Sequence, residues 1–434
     1  MADTYGVTGD IPSHRATVRS GGTVSVGAAF DTTAGLVGGF DTSAGEATEG
    51  EIQTIQSSSE AQTAFGEESE LATQAELALL NGAGTVYAVG VEETTVDDET
   101  VTQSDVVENV PIFDPRVNTE HSVTVDDDGS EVTVNYVDES PPSMPTDADT
   151  ANLNPNTGEI EFDAAADVEY TITYDYGDYG SAIVNLAEKM PRVLGVCSES
   201  VEVLNDALGE ARNYATDFGF MHAMGGAMPQ VSASDYDDTF DDRRLSVVAA
   251  SRGFTDAAET EEVRTVGAIV GKQAGNELGD STTFENVAGL TGLKTNYTNS
   301  EISTLIDKQV LPLRSGGGGV KIIKDMTTST DVRFERIYAS EIVDEATEIS
   351  HIISENFIGD PNTDDNRLLL RESHTSSYEE MEADDLLEDY FVEVSKGAND
   401  YEVELDIGLD VIGIMDIIDV TISVGDVVRN GGAN

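Results

Sequence analysis

From about residue 98 to residue 178 the apolar period changes to two. Before and after that block, short apolar runs alternate with stretches of helical period. A period of two and a period of 3.6 cannot describe one continuous layer. The chain is therefore expected to be α/β, interrupted by an all-β module. In its opening part, "GLVGGF" (Gly35 to Phe40) predicts a strand. "ESELATQAELALL" places Leu71, Ala75, Leu77 and Leu80 at helical spacing and stops at Asn81-Gly82, a C-cap signal. "TVYAVGV" follows as a buried strand, completing a β-α-β opening. Residues 1–28, rich in Gly, Thr and Ser, read as an extended arm whose apolar points are Tyr5, Val7, Val18 and Val24.

Inside the period-two block, "SVTV" and "EVTVNYV" flank an Asp128-Gly129 turn and predict a hairpin. Val168, Tyr170, Ile172, Tyr174 and Tyr176 alternate in the same way. The "DDDGSE" run lacks the bidentate Glu that a calcium loop needs at its twelfth position, so it reads as a solvated turn. Past 178, "RVLGVC", "FGFMHAM" and "RLSVVAA" read as strands. "SVEVLNDALGEARNYA", opened by Ser198 or Ser200, and "AAETEEVRTVGAIVGKQAG" read as helices. Strand and helix alternate, which implies a parallel sheet covered by helices. After Gly319 come strand "VKII", a helix around "EIVDEATEISHIISENFIG" and a second acidic helix near Glu379 to Glu388.

The last segment alternates without interruption at Tyr401, Val403, Leu405, Ile407, Leu409 and Val411, and resumes at Ile418, Val420, Ile422 and Val424. It is either an ordinary closing hairpin or a long edge offering its N–H and C=O groups to another chain.

At 434 residues the chain is long enough for roughly three domains. It holds 84 acidic residues against 22 basic ones, a formal charge of −62, with no lysine before Lys189. In molar salt the Debye length falls to about 3 Å and such self-repulsion is screened. The dispersed acid therefore points to a protein that works in concentrated salt, most simply inside a halophilic archaeon. Strong apolar patterning rules out an acidic disordered solubiliser. The charge also argues against nucleic acid or an anionic membrane as partner. Cys197 is the sole cysteine, so no intrachain disulfide can form. "MADTYGVTGD" lacks the basic and apolar regions of a secretory signal, and no apolar run approaches 18 residues, so no membrane span is expected.

The sequence carries little that points to catalytic chemistry. "RSGGGGVKIIKDMTTST" (314–330) looks like a phosphate loop, but Val320 separates the glycines from Lys321 and Ile322 stands where the hydroxyl belongs. A strand rather than a helix follows it. "GAGTVYAVG" follows a helix and precedes a strand, the reverse of the dinucleotide order. His14, His121, His222, His351 and His374 are scattered without zinc-site spacing, and no G-x-S-x-G occurs. Cys197 and His222 are the one candidate nucleophile pair. No cofactor or metal is implied. Lys308, Arg314, Lys321, Lys324, Arg333 and Arg336 concentrate positive charge in a chain starved of it. They are either paired internally with acids or form a docking face for another acidic subunit.

The order of these features resembles the contractile tail sheath family. "GLVGGFDTSAGEATEGEIQTIQSSSEAQTAFGEESELATQAELALLNGAGTVYAVGV" is similar to the sheath N-terminal region. "PNTGEIEF" and "YTITYDYGDY" resemble the sheath β-sandwich, and "GVKIIKDMTTSTDVRFERIYASEIVDEATEISHIISENFIGDPN" the sheath C-terminal domain. "YGVTGDIPSHRATV" departs from the arm usual near sheath N-termini. The resemblance implies a multidomain subunit: arm 1–28, first α/β part 29–97, inserted β-sandwich-like module 98–178 and a parallel, subtilisin-like but non-proteolytic α/β core 179–312. An α+β C-terminal domain 313–400 and a β arm 401–434 complete it. It further implies no enzyme and no cofactor, but stacked hexameric rings around an inner tube, linked by strand exchange between arms. Partners would be the chain's own copies, the tube protein, baseplate and tail terminator, in a virion tail or a cytoplasmic injection particle of a haloarchaeal host. The competing expectation is a halophilic α/β enzyme with a nucleotide-type ligand.

Overall fold

The structure, a computed structural model, describes residues 3–6, 15–18 and 32–414 apart from 68, 93, 110–121, 128, 138–140, 156, 164–167, 217–218, 228–232 and 237–239. Strands β1 (Asp3–Gly6) and β2 (Arg15–Val18) pair antiparallel, Asp3 opposite Val18. Tyr5 and Val18 of the expected arm fall in this pair; Val7 and Val24 lie outside the described residues. The core opens with β3 (Thr33–Phe40), β4 (Ile52–Ile55), α1 (Ser58–Phe65), α2 (Glu70–Leu80) and β5 (Thr85–Glu92). The β module follows as β6 (Thr94–Val101), β7 (Asp105–Val106), β8 (Thr124–Asp127), β9 (Ser130–Tyr136), β10 (Thr150–Leu153), β11 (Glu159–Phe162) and β12 (Tyr170–Tyr176).

The core resumes with α3 (Tyr179–Ala187), β13 (Val193–Val196), α4 (Val201–Thr216), β14 (His222–Gly226) and β15 (Leu245–Val248). Small elements then wrap it: β16 (Arg252–Phe254), β17 (Glu262–Arg264), α5 (Val266–Gly275), β18 (Asn286–Val287), β19 (Gly292–Leu293) and α6 (Asn299–Asp307). A hairpin of β20 (Leu313–Gly316) and β21 (Gly319–Ile322) leads to the last unit. That unit is α7 (Ile337–Glu355), α8 (Asp364–Ala383), β22 (Leu387–Lys396) and β23 (Val403–Val411).

The central sheet has the order β15-β14-β13-β3-β5-β4, with β4 its antiparallel edge and the rest parallel. Every residue of β13, β14 and β15 is buried, which is why these strands read as continuous apolar runs rather than alternating ones. β3 and β5 precede the module and β13 to β15 follow it, so the module is an insertion into one α/β sheet.

Within the module the sheet order is β6-β12-β8-β9-β10-β11-β7. β6 and β7 stand at opposite ends of that order, yet only residues 102–104 separate them in the chain. A sheet whose two ends are tied so closely must curl round on itself. It closes over a separate core in which Val125, Leu153, Ile160, Phe162, Ile172 and Tyr174 are fully buried. The β8–β9 hairpin sets Val125 opposite Val132, as its turn signal predicts.

Helix α2 ends where expected: the Asn81 amide donates to the Leu77 carbonyl (2.8 Å) and also to the Ala288 carbonyl (2.9 Å). Against it lies α5, whose Gly267, Gly271 and Gly275 recur every fourth residue on the contact face. A Cβ on Gly271 would overlap the Ala78 backbone, and one on Gly267 the Gln74 carbonyl. The stripe lets two helix backbones touch.

Two helix expectations are corrected. The first half of "AAETEEVRTVGAIVGKQAG" is not helix: residues 257–261 are turn, Glu262–Arg264 form β17 and pair with β16, and α5 starts only at Val266. The second acidic helix is α8, which stops at Ala383 rather than near Glu388. Asp384 caps it, and Asp385 takes φ 56°, a left-handed turn that Asp tolerates better than most residues. Leu387 onward is strand.

Candidate functional site

In an open parallel sheet, ligands bind outside the carboxyl ends of the strands. Here that place is filled by side chains paired with one another. Glu199, just beyond β13, accepts from Arg264 Nε (2.9 Å), and Arg264 also pairs with Glu70 at the start of α2. Arg252 Nε lies 3.0 Å from the other Glu199 oxygen, without the alignment of a hydrogen bond. Two acids and two guanidinium groups thus balance inside the fold. The neighbouring carboxylates push the Arg264 pKa up despite its burial.

Cys197 is buried at the same end, and burial, then the nearby Glu70 charge, pushes its thiol well up. Such a thiol is inert packing. His222 sits opposite Val193 at the far end of β13. Four residues of strand, about 13 Å, separate it from the level of Cys197, so the pair does not form. Ser246 donates to the Met326 carbonyl (2.5 Å), so His222 Nε2–H donates to Ser246 Oγ (2.8 Å). Burial, helped by Arg244, Arg243 and Arg192, holds the imidazole neutral with its pKa pushed down to about 3. Among the described residues no group of three His, Cys, Asp or Glu could hold a metal, and no helix is long and apolar enough to cross a membrane.

The amino ends of the strands carry a second set of pairs, directed at α7. Arg192, just before β13, forks onto Glu341 (Nε–Oε1 3.3 Å, Nη2–Oε2 2.9 Å). Arg243 and Arg244, just before β15, share Asp344 at 2.6 and 2.5 Å. All of these side chains are nearly buried, so the pairs fix α7 to the sheet rather than face solvent.

The glycine run is the tip of the β20–β21 hairpin. Arg314 lies opposite Lys321, Ser315 opposite Val320 and Gly316 opposite Gly319, with Gly317-Gly318 as the turn. Gly319 takes φ 99°, and a Cβ on any of the four glycines would meet nothing within 4 Å. The run opens no helix and no backbone approaches it closely.

The six sequence-selected cations do not form one face. Arg336 is buried and pairs with the fully buried Asp325 (2.6 Å). Lys324 pairs with Glu335 (2.9 Å), Arg333 with Asp331 (2.6 Å), and Lys308 donates to the Tyr236 carbonyl. Partners within the chain thus take these four; for the buried Arg336 and the largely buried Lys324 this follows because a desolvated cation needs a local acceptor, whereas Arg333 is exposed. Arg314 and Lys321 remain together on one hairpin.

Val403, Leu405, Ile407, Leu409 and Val411 form β23, and Tyr401 just before it is 97% exposed. The partner of β23 is β22, in register from Lys396–Val403 to Leu387–Val411. Ile418, Val420, Ile422 and Val424 lie outside the described residues. Ile407, Leu409 and Val411 pack with Tyr390 and Val392 over a cluster of Tyr338, Ile342, Tyr378 and Met381 from α7 and α8. At Ile407, Leu409 and Val411 the alternation is thus explained by packing on the chain's own helices, while Tyr401 and Val403 stay exposed. The ladder has two strands, so each has an outer edge with no strand beside it among the described residues.

No family model matches the sequence, and no curated protein matches it. Solved structures do match the fold. The contracted helical sheath of the anti-feeding prophage aligns over 96% of this chain and 99% of its own, with TM-score 0.58 and 11% identity. The contracted sheath complex of the extracellular contractile injection system PVC covers 96% and 98%, TM-score 0.58 and 10% identity. The sheath tail protein of Desulfitobacterium hafniense covers 88% and 97%, TM-score 0.53 and 13% identity. The mixed α/β multidomain fold is that of these sheath proteins.

Proposed function

We propose that the chain is the repeating subunit of a contractile sheath, stacking as hexameric rings around an inner tube and shortening to push the tube through an envelope. The observation that carries this reading is the end-to-end match to the contracted anti-feeding prophage sheath, 96% of this chain on 99% of that one. A protein that had only borrowed an α/β domain would not align through insert, core and C-terminal unit together.

The physical features fit an assembly role. The crevice at the carboxyl ends of the strands is occupied by paired side chains, and α7 is fastened to the sheet by three arginines. The β22–β23 ladder has outer edges that can accept strands from neighbouring copies, and residues 1–28 and 401–434 are the segments to supply or receive them. Partners are then the chain's own copies, a tube protein, a baseplate and a tail terminator, in a virion tail or an injection particle. The charge of −62 suits a high-salt cytoplasm such as that of a haloarchaeon.

Negative-stain microscopy of the purified chain in molar salt tests the reading, with striated cylinders as the expected result. A preparation that stays monomeric at every concentration overturns it.

A further inference from the structure

We propose that Arg314 and Lys321 are a two-cation docking point for the acidic outer face of the β22–β23 hairpin on a second copy of the chain. The proposal rests on the sheath reading for the presence of that second copy. Arg314 and Lys321 stand directly opposite each other on β20 and β21, Arg314 exposed and Lys321 half-exposed. Like charges placed so are mutually destabilising. Among the described residues neither has a carboxylate within ion-pair distance; Arg314 only donates to the Asn299 side chain (2.6 Å). In a chain with 84 acidic residues, two adjacent cations left without an acid are suited to meeting one from outside.

The C-terminal hairpin carries the complementary surface. On the outer face of the C-terminal hairpin Glu393 lies opposite Asp406 and Asp389 opposite Asp410, all four exposed. Between these pairs sits Phe391, 48% exposed, opposite Gly408. Asp389 already accepts the Tyr390 N–H (2.9 Å), so Glu393 and Asp406 are the freer pair. Opposed residues on antiparallel strands are about 4.5–5.5 Å apart in either hairpin, so both cations can meet both acids at once. The side-chain-free glycine tip beside the cations leaves room for Phe391. Contacts this short persist where the screening length is about 3 Å, while repulsion between distant acids does not.

The test is charge reversal in the full chain at fixed salt. Arg314→Glu with Lys321→Glu should raise the subunit concentration needed for assembly about tenfold or more, with the melting temperature unchanged because both sites are at the surface. Adding Glu393→Lys and Asp406→Lys to the same chain should restore assembly. Normal assembly of the first variant, or no recovery in the second, overturns the proposal. If wild type forms tubes and the Arg314/Lys321 variant does so equally well, only this docking point fails. If wild type never self-associates, the sheath reading fails with it.

Discussion

Arg192 and Glu341, 149 residues apart in the chain, meet through two parallel contacts at 3.3 and 2.9 Å with both side chains nearly buried. The same arginine also donates to the Ala274 and Asn276 carbonyls, and Gln273 donates to Glu341 (3.0 Å). One guanidinium thereby ties β13, the end of α5 and α7 together. Removing one partner strands a buried charge, which costs about 3–5 kcal/mol. Glu341→Ala should show that loss in denaturant unfolding, whereas Arg192→Met with Glu341→Leu should recover most of it. A loss below about 1 kcal/mol for the single change would mean the fork is not holding α7.

The α2–α5 contact makes a second stability prediction. Gly271→Ala forces a methyl into the Ala78 backbone, and overpacking of this kind costs about 1–3 kcal/mol. Gly316→Ala, where a Cβ meets nothing within 4 Å, should stay within about 0.5 kcal/mol. Equal melting temperatures for the two variants would remove the close helix contact.

Glu345 on α7 has its pKa raised to about 7, first by burial and then by Glu348, with Arg192 opposing. A carboxylate whose folded pKa exceeds its unfolded value holds its proton better when folded. Its contribution is present below the unfolded pKa and is lost as pH rises through about 7. Glu345→Gln should therefore melt higher than wild type at pH 8, with the difference closing toward pH 4. His222 acts in the opposite sense over the acid range, so the variant difference, not the raw profile, is the quantity to read.

Elements whose signals are local were legible in the sequence. Leu71, Ala75 and Leu77 gave α2 its buried face and Asn81 its end; Asp128-Gly129 gave the β8–β9 turn; the all-apolar runs gave the parallel strands. Pairing was not legible, because alternation reveals which face of β23 is buried but not that β22 is its neighbour. β22 itself was obscured because Asp385 does the helix-ending work usually signalled by Gly. The ion clusters around Glu199 and Glu341 were hidden by abundance: with 84 acidic residues, spacing cannot mark the few that are buried. Gly267, Gly271 and Gly275 did carry a readable signal in their four-residue spacing, and it marks the α2–α5 contact.

Salt should act on the whole chain. Diluting from about 1 M to 0.1 M lengthens the screening distance from about 3 to 10 Å, which exposes a net −62 to its own repulsion while the buried arginine pairs keep their strength. The melting temperature should fall steadily on dilution and any assembly should dissolve. A melting temperature and light scattering that hold constant through the dilution would refute a dependence on concentrated salt.

The arm reading is best tested by where the chain is cut. Removing 401–434 would take away β23, strip β22 of its only described partner and uncover Tyr378 and Met381, so lost assembly could be mere unfolding. Stopping at Ile414 keeps both strands and the Ile412 N–H bond to the Leu386 carbonyl (3.2 Å). It removes only 415–434, with Ile418, Val420, Ile422 and Val424. This shorter chain should melt within about 2–4 °C of wild type, the shift that about 1 kcal/mol produces in a larger domain, yet form no cylinders. Normal cylinders from it would show that the alternating residues beyond 415 do not link subunits, leaving residues 1–28 as the arm for the outer edges of β22 and β23 to receive.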